Sequence, residues 1–368
     1  MNKKILIVFW GNPFFDGRCM NMINQLLKHN YQISVLGVGN KTEGLKQKNI
    51  IIKLINPILL RNPFTKYFKY FKYVKNYIIT NKVDVIIASD LYSMIPCAKI
   101  KIIQNIKVIY DSRELYTKLG GLKNKPFIQA MWSWYEKKYI NQVDCILTNA
   151  DIDAVYLKEL YNHPNIKLIK NLPGSHFLNS QSTNLKSLLC LSDTCQIMVY
   201  QGKFHAGRGI RFSIKCISKL NNTVLVLIGE GPMKEAYFEE AKKYNMLDRL
   251  FFIDAVPYER LGLLTAKSSI GLSMIAPIST SYKHALPNKL FEYAVSGVPV
   301  ICSNLSAMED MVDTYNSGIA INYNKENEFI EAYNTIVNNY NDYVLEKTKR
   351  EKLLWDMGNQ HLCEIIDE

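Results

Sequence analysis

Short runs of β-branched and aliphatic residues alternate with stretches of helical period along nearly the whole chain, and few folds accommodate that alternation. The runs at residues 4–9, 33–37, 50–54, 83–88, 107–111, 145–148 and 166–169 are brief and apolar on both faces. Strands of that kind belong to a parallel sheet covered by helices on each side, which predicts a doubly wound, Rossmann-like α/β domain. Between Asn179 and Thr194 the pattern lapses into Ser, Thr, Asn and Gln, as a linker would. It restarts at 197–201, 223–229, 250–254, 270–273 and 298–302. The expected organisation is a first domain at 1–178, a linker at 179–195, a second domain at 196–341, and a charged helix at 342–368 that crosses back to the first domain. A chain of 368 residues is long enough for two cores. Two such domains would face a central cleft at the carboxyl ends of their sheets, where open α/β sheets bind ligands.

Composition narrows the class further. With 48% apolar residues, 18 Gly and 12 Pro, the chain is neither disordered nor of low complexity. No apolar run approaches the roughly 18 residues of a membrane span. The start, MNKKILIVFW, passes directly into a strand-like run with no cleavage site, so a cytoplasmic protein is expected. Eight scattered cysteines without a CxxC pair predict reduced thiols in apolar sites, with no structural metal.

Charge is distributed unevenly. Residues 1–178 carry 26 Lys+Arg against 11 Asp+Glu, a net +15, whereas residues 179–368 carry 19 against 22, a net −3. A one-sided excess implies a face with an anionic partner. Within it, PFTKYFKYFKYVKNYIITN sets Phe64, Tyr67, Phe68, Phe71, Val74 and Ile78 at helical spacing and Lys66, Lys69, Lys72 and Lys75 on a neighbouring stripe. Two readings stand at this point: an ordinary helix with its apolar side on the sheet, or a basic aromatic surface resting on an anionic bilayer. IQAMWSWYEKKYI, with Trp132, Trp134, Lys137 and Lys138, could widen that surface. No nucleic-acid-binding motif accompanies it, so no nucleic-acid partner is expected.

Four patterns in the second half carry chemistry. YQGKFHAGRGI places Gly202, Gly207 and Gly209 in a strand-to-helix loop with Lys203 and Arg208, a setting that suits a phosphate. LVLIGEGPMKEAYF breaks a strand at Gly229 and Gly231 before Pro232. FFIDAVP brings Val256 to the same end of the sheet. In HALPNKLFEYAVSGVPVICSN, a helix starting near Asn288 carries Glu292 one turn inside. A carboxylate there could accept hydrogen bonds from vicinal ribose hydroxyls, while the helix N-terminus and Lys289 meet a diphosphate.

Over nearly its whole length the chain resembles the retaining GT-B glycosyltransferases of glycosyltransferase family 4, of the bacterial surface-polysaccharide type. PNKLFEYAVSGVPVICSN looks like the family's donor-side helix and strand, with Glu292 as the second Glu of an E-x7-E element that binds the nucleotide ribose. GKFHAGRG resembles the basic donor loop, with Gly202 beside Lys203 and Arg208 as the catalytic cations that hold the diphosphate. GEGP, containing Gly229 and Gly231, and the loop around Val256 resemble segments lining the base. His284, Ala285, Leu286, Pro287, Asn288, Lys289 and Leu290 then line the donor. NPFFDGR, with Asp16, Gly17 and Arg18, and YDSRELY, with Arg113 and Glu114, resemble acceptor-side loops.

Two positions depart from the pattern. His284 stands where the first Glu of E-x7-E, a donor-sugar contact, is normal. Arg113 stands where His is common; it either binds a phosphate or acidic sugar near the acceptor, or pairs with Glu114. Asp151 and Asp153 have the spacing of a metal-binding DxD but are expected to open a helix.

The resemblance implies transfer of a sugar, as in the hexosyl and related transferases of class EC 2.4. The donor is a nucleoside-diphosphate sugar and the acceptor a hydroxyl of a lipid-linked glycan for capsule, O-antigen or related polysaccharide. Anomeric configuration is retained, no metal or other cofactor is required, and the protein is peripheral at the inner face of the plasma membrane. Two other readings remain open: a GT-B nucleotide-sugar epimerase, and a noncatalytic nucleotide-sugar-binding subunit of a polysaccharide complex.

Overall fold

The computed structural model describes residues 3–40, 49–122, 124–178 and 185–368. It divides into two compact units, residues 1–170 with 359–368, and residues 171–358.

The first unit is built on seven parallel strands: β1 (Lys4–Val8), β2 (Gln32–Val38), β3 (Ile50–Ile55), β4 (Val85–Ala88), β5 (Lys107–Asp111), β6 (Cys145–Thr148) and β7 (Ile166–Leu168). Their order is β3-β2-β1-β4-β5-β6-β7. Every residue of the central strands β4 and β6 is buried, which is why they read as unbroken apolar runs. Helices α1 (Gly17–Lys28), α2 (Lys66–Thr80), α3 (Leu91–Lys101), α4 (Pro126–Tyr139) and α5 (Asp151–Tyr161) make the crossovers. Because parallel strands need a return path, each crossover helix begins at the carboxyl edge of the sheet. Asp151 and Asp153 lie in the first turn of α5, where they complement its dipole.

The second unit holds six parallel strands: β8 (Gln196–Gln201), β9 (Thr223–Ile228), β10 (Leu250–Ile253), β11 (Ile270–Ser273), β12 (Val300–Ser303) and β13 (Gly318–Ile321). They lie in the order β10-β9-β8-β11-β12-β13. Its helices are α6 (Leu185–Leu188), α7 (Ile210–Ile217), α8 (Lys234–Lys243), α9 (Tyr258–Thr265), α10 (Thr280–Lys283), α11 (Asn288–Ser296), α12 (Ser306–Tyr315), α13 (Glu326–Asn338), α14 (Lys347–Lys352) and α15 (Trp355–Gly358). A last helix, α16 (Leu362–Asp367), belongs to the first unit. Both sheets with their flanking helices are the doubly wound Rossmann-like arrangement that the alternation predicts.

Boundaries differ from expectation in three places. The first unit ends at Lys170, not residue 178, because His176 and Phe177 pack on Tyr258 of the second unit's own α9. Of the expected linker, residues 179–184 lie outside the described residues, while α6 and the turn after it belong to the second unit. The terminal stretch is not one helix. It is broken into α14, α15 and α16, and only residues 359–368 join the first unit. There Asn359 exchanges hydrogen bonds of 2.9 Å with both main-chain groups of Lys170, and His361 Nε2 lies 2.7 Å from the Leu168 carbonyl. Seven of the eight cysteines are buried thiols and Cys190 is exposed.

Candidate functional site

The carboxyl edge of the second sheet gathers most of the residues that the motifs single out. Gln201 ends β8, and the loop after it runs through Gly202, Lys203 and Arg208 to α7. Gly229 and Gly231 follow β9. Their role is to let two loops touch: a Cβ on Gly229 would stand 2.1 Å from the Gly202 carbonyl oxygen, and one on Gly231 would stand 2.5 Å from the Phe204 carbonyl oxygen. Both have positive φ, +144° and +153°, which only glycine adopts without strain. The closeness assigned to these glycines is therefore met by protein backbone.

Helix α11 begins at the same edge, with Pro287 as N-cap and no side chain capping its amino end. Its first N–H groups and the helix dipole favour an anion. Lys289 sits in this first turn, its Nζ 3.7 Å from the Tyr200 ring centroid and close to Gly202. Among the described residues Lys289 makes no ion pair. Loss of solvation and the neighbouring Arg208 push its ammonium well below the usual lysine range, against the pull of Glu292. The Arg208 guanidinium stacks 4.9 Å from the Tyr282 ring. Burial, Arg208 and Lys203 together push the His205 imidazole downward, a second sign that cations dominate here. Lys203 itself meets Glu230 at 2.5 Å, with both side chains more than half exposed. An exposed pair of that kind is readily exchanged for a better anion.

Glu292 is buried on α11, and its Oε2 accepts a hydrogen bond of 2.5 Å from Gln201 Nε2. His284 ends α10, its N–H bonded to the Thr280 carbonyl at 3.1 Å; with Ala285, Leu286 and Pro287 it forms the half-buried approach to Asn288 and Leu290 of α11. Val256 is half-buried between β10 and α9. Sequence reasoning missed Gln201 and Thr265, whose only signal is a polar side chain that ends an apolar run, IMVY in one and LGLL in the other.

In the first unit the acceptor-like loops do meet, through a buried ion cluster. Asp16 caps α1, accepting from the Cys19 N–H at 2.8 Å, and binds Arg113 at 2.6 Å. Arg18, next to Gly17 in the first turn, holds Asp111 at 2.6–3.0 Å and also donates to the Ile169 carbonyl. Arg113 adds a bond of 2.9 Å to Asp111 and lies over the Phe9 ring. Burial would raise the Asp111 carboxyl, but Arg18 and Arg113 outweigh it and hold it below the usual range. One expectation changes here. Arg113 pairs with Asp16 and Asp111 rather than with the exposed Glu114, because a buried guanidinium demands a counter-charge. Arg18 is likewise enclosed and holds Asp111.

The lysine helix also departs from its expected register. Tyr70, Val74 and Ile78 of α2 face the core, with Tyr70 Oη 2.7 Å from Ser93 Oγ, whereas Phe64 and Phe68 stay outside, Phe64 at 93% exposure. Lys69, Lys72 and Lys75 are exposed, and Lys66 is half-buried over the Tyr67 ring. Helix α4 adds Phe127, 91% exposed, with Ile128, Met131 and Trp134. Among the described residues no helix is long and apolar enough to cross a membrane.

Comparison with known proteins agrees with this architecture. The family model described as Glycosyltransferase Family 4 matches residues 18–172, and that described as Glycosyl transferases group 1 matches residues 190–352. A curated relative, the chitobiosyldiphosphodolichol beta-mannosyltransferase of Debaryomyces hansenii, is 22% identical over 218 residues, which cover 52% of this chain and 46% of that protein. The chain thus spans about half the length of the curated relative it matches. Among solved structures, sucrose-phosphate synthase from Thermosynechococcus elongatus is similar at TM-score 0.80 and 17% identity, covering 100% of this chain and 98% of that one. The Anabaena protein Alr3699/HepE, in complex with UDP and glucose, is similar at TM-score 0.78 and 13% identity, covering all of both chains. These likenesses share the GT-B fold. With its two halves matched in turn by the two family models, the chain belongs to glycosyltransferase family 4.

Proposed function

We propose that this protein is a retaining glycosyltransferase that moves a sugar from a nucleoside-diphosphate sugar to a hydroxyl of a lipid-linked glycan, in the synthesis of capsule, O-antigen or a related surface polysaccharide. The observation that carries the donor side is the amino end of α11. It offers a helix terminus with no side-chain cap, an ammonium at Lys289 that makes no ion pair among the described residues, the nearby Arg208, and a buried carboxylate one turn further in at Glu292. This set suits a nucleoside diphosphate. Cations and amide groups take the two phosphates, and Glu292 accepts from the ribose hydroxyls.

As the anomeric bond loosens, negative charge grows on the leaving diphosphate. Lys289, Arg208 and the helix terminus stabilise that charge more than they stabilise the ground state, which lowers the barrier. Lys203 joins them by leaving Glu230. The acceptor hydroxyl attacks from the face the diphosphate leaves, and its proton passes to the departing phosphate oxygen, so no separate base and no metal are needed.

A lipid-linked acceptor at an anionic membrane surface is supported by the first unit. Trp10 and Tyr116, in the carboxyl-edge loops, connect through Tyr67, Tyr92 and Trp132 to α2 and α4 in ring contacts of 4.7–6.2 Å. The exposed Phe64, Phe68, Phe127 and Trp134 flank that chain of rings, among the lysines of α2 and α4. Exposed aromatics ringed by lysines fit the headgroup region of an anionic bilayer. The name of the Debaryomyces relative likewise specifies a dolichol-linked acceptor.

The testing experiment is a thermal-shift panel of UDP, GDP, CDP, ADP and dTDP with their common sugar conjugates, with and without EDTA. A rise in Tm with one base that survives EDTA is expected. Stabilisation abolished by EDTA, or unaltered nucleotide binding in Glu292→Ala, would overturn the reading.

A further inference from the structure

Glu292 is held by a relay drawn from three elements. Its Oε2 accepts from Gln201 Nε2 at 2.5 Å, and the other end of the same amide, Gln201 Oε1, accepts from Thr265 Oγ1 at 2.8 Å. Glu292 lies on α11, Gln201 is the last residue of β8, and Thr265 is the last residue of α9; all three side chains are buried. An ionised carboxylate only accepts hydrogen bonds, so the amide must turn its NH2 toward Glu292 and its oxygen toward the threonine hydroxyl. The main chain reinforces this. The Gln201 N–H donates to Tyr293 Oη at 3.2 Å, and Tyr293 Oη donates to the Val199 carbonyl at 3.1 Å, tying β8 to the residue beside Glu292.

Such a relay does two things. It gives one oxygen of the buried carboxylate a hydrogen-bond donor, and it fixes the side-chain rotamer. We infer that Gln201 and Thr265 are positioning residues that orient the Glu292 carboxylate so that the site distinguishes ribose from deoxyribose. The inference rests on the assignment of Glu292 to the donor ribose. A carboxylate free to rotate would still attract hydroxyls but would not hold the geometry that rejects a sugar lacking one.

Isothermal titration of the full chain tests this with UDP, GDP, ADP and CDP, the binding nucleotide then being compared with its 2′-deoxy and 3′-deoxy forms. The wild type is expected to favour the ribonucleotide by roughly tenfold or more over at least one deoxy form, because a site built to accept from a hydroxyl rejects the analogue that lacks it. Thr265→Val, nearly isosteric, and Gln201→Leu should each shrink that ratio at least about threefold while leaving the affinity for the deoxy form nearly unchanged. Gln201→Glu sets a second carboxylate against Glu292, so the pair shares a proton. Ribose preference should then be weak at pH 8 and partly restored at pH 5.5, a profile that a purely structural residue would not produce. An equal loss for ribo and deoxy forms in Thr265→Val, with the wild-type ratio kept, overturns the positioning role. A wild-type ratio in Glu292→Gln, or no nucleotide bound by the wild type, overturns the ribose assignment and the inference with it.

Discussion

At the carboxyl edge of the first sheet, Arg18 and Arg113 close on Asp16 and Asp111 at 2.6–3.0 Å, whereas at the carboxyl edge of the second, Lys289 rests on a tyrosine ring with no ion pair among the described residues. Both edges are rich in cations that a motif search would label as binding residues. Burial with a counter-charge turns a cation into a structural tie, because removing either partner strands the other in a low dielectric. A desolvated ammonium without an anion is in deficit, and an anionic ligand makes up the difference. The distinction between fold and function is thus set by which charges find partners within their own unit.

The largest expected effect tests the closed cluster. Asp111→Ala leaves Arg18 and Arg113 short of a buried counter-charge and should cost about 3–5 kcal/mol of stability in urea unfolding. If the cation cluster were merely a waiting ligand site, stability would scarcely change. Lys289→Met is the converse. Nucleotide affinity should fall roughly 10- to 100-fold, as for loss of a charge-assisted contact, with Tm unchanged or slightly raised. A large drop in Tm would place Lys289 among the structural cations.

The outer face of the first unit offers a third contrast, since Lys69, Lys72 and Lys75 are exposed and make no ion pair among the described residues. Lys69, Lys72 and Lys75 replaced together by Gln should weaken sedimentation with phosphatidylserine vesicles about tenfold or more. Unchanged sedimentation would return α2 to an ordinary solvated helix.

The smallest effect separates the units by pH. Burial pushes the Asp90 carboxyl in the first unit up to about 6, against hydrogen bonds from Trp10 and Ser93 and the pull of Arg113. Its stabilising share is present below about 4 and fades as pH rises through about 6. Burial pushes the His176 imidazole in the second unit down to about 4, against its hydrogen bond to Tyr258. Its share is present above about 6.5 and fades as pH falls through about 4. Hydrogen exchange between pH 4 and 6.5 should therefore show opposite slopes in the two units. His176→Phe should flatten the second by about 1 kcal/mol, a figure reduced for the partial exposure of the ring.

Much of the architecture was legible because it rests on periodicity. Twelve of the thirteen strands coincide with apolar runs in the sequence; those buried on both faces, such as β4 and β6, must be largely apolar. The exception, Gly318–Ile321, is a four-residue edge strand that begins with a glycine, which hides it. A Cβ at Gly318 would stand 2.1 Å from the Val300 carbonyl oxygen, a constraint visible only once β12 lies beside it. The break-up of residues 342–368 was equally hidden, because charged residues at helical spacing suit one helix or several short ones, and contacts such as Asn359 with Lys170 choose between them.

The candidate site divides along the same line. Glu292, Lys289 and the start of α11 could be read from local order, since a Pro before a helix and a Gly after it mark both ends. Partners far apart in the chain could not. Arg113 is one residue from Glu114 yet bonds Asp16, 97 positions away, and Gln201 reaches Glu292 across 91. The sequence by itself determined the doubly wound sheets, the cation-rich loops and the helix that carries Glu292, because these depend on periodicity and neighbours along the chain. Only the tertiary structure decided which cations are neutralised, which glycines serve protein backbone, and which side chains orient the carboxylate. Those outcomes depend on the distance between groups in space, and electrostatic and hydrogen-bond energies follow that distance rather than separation in sequence.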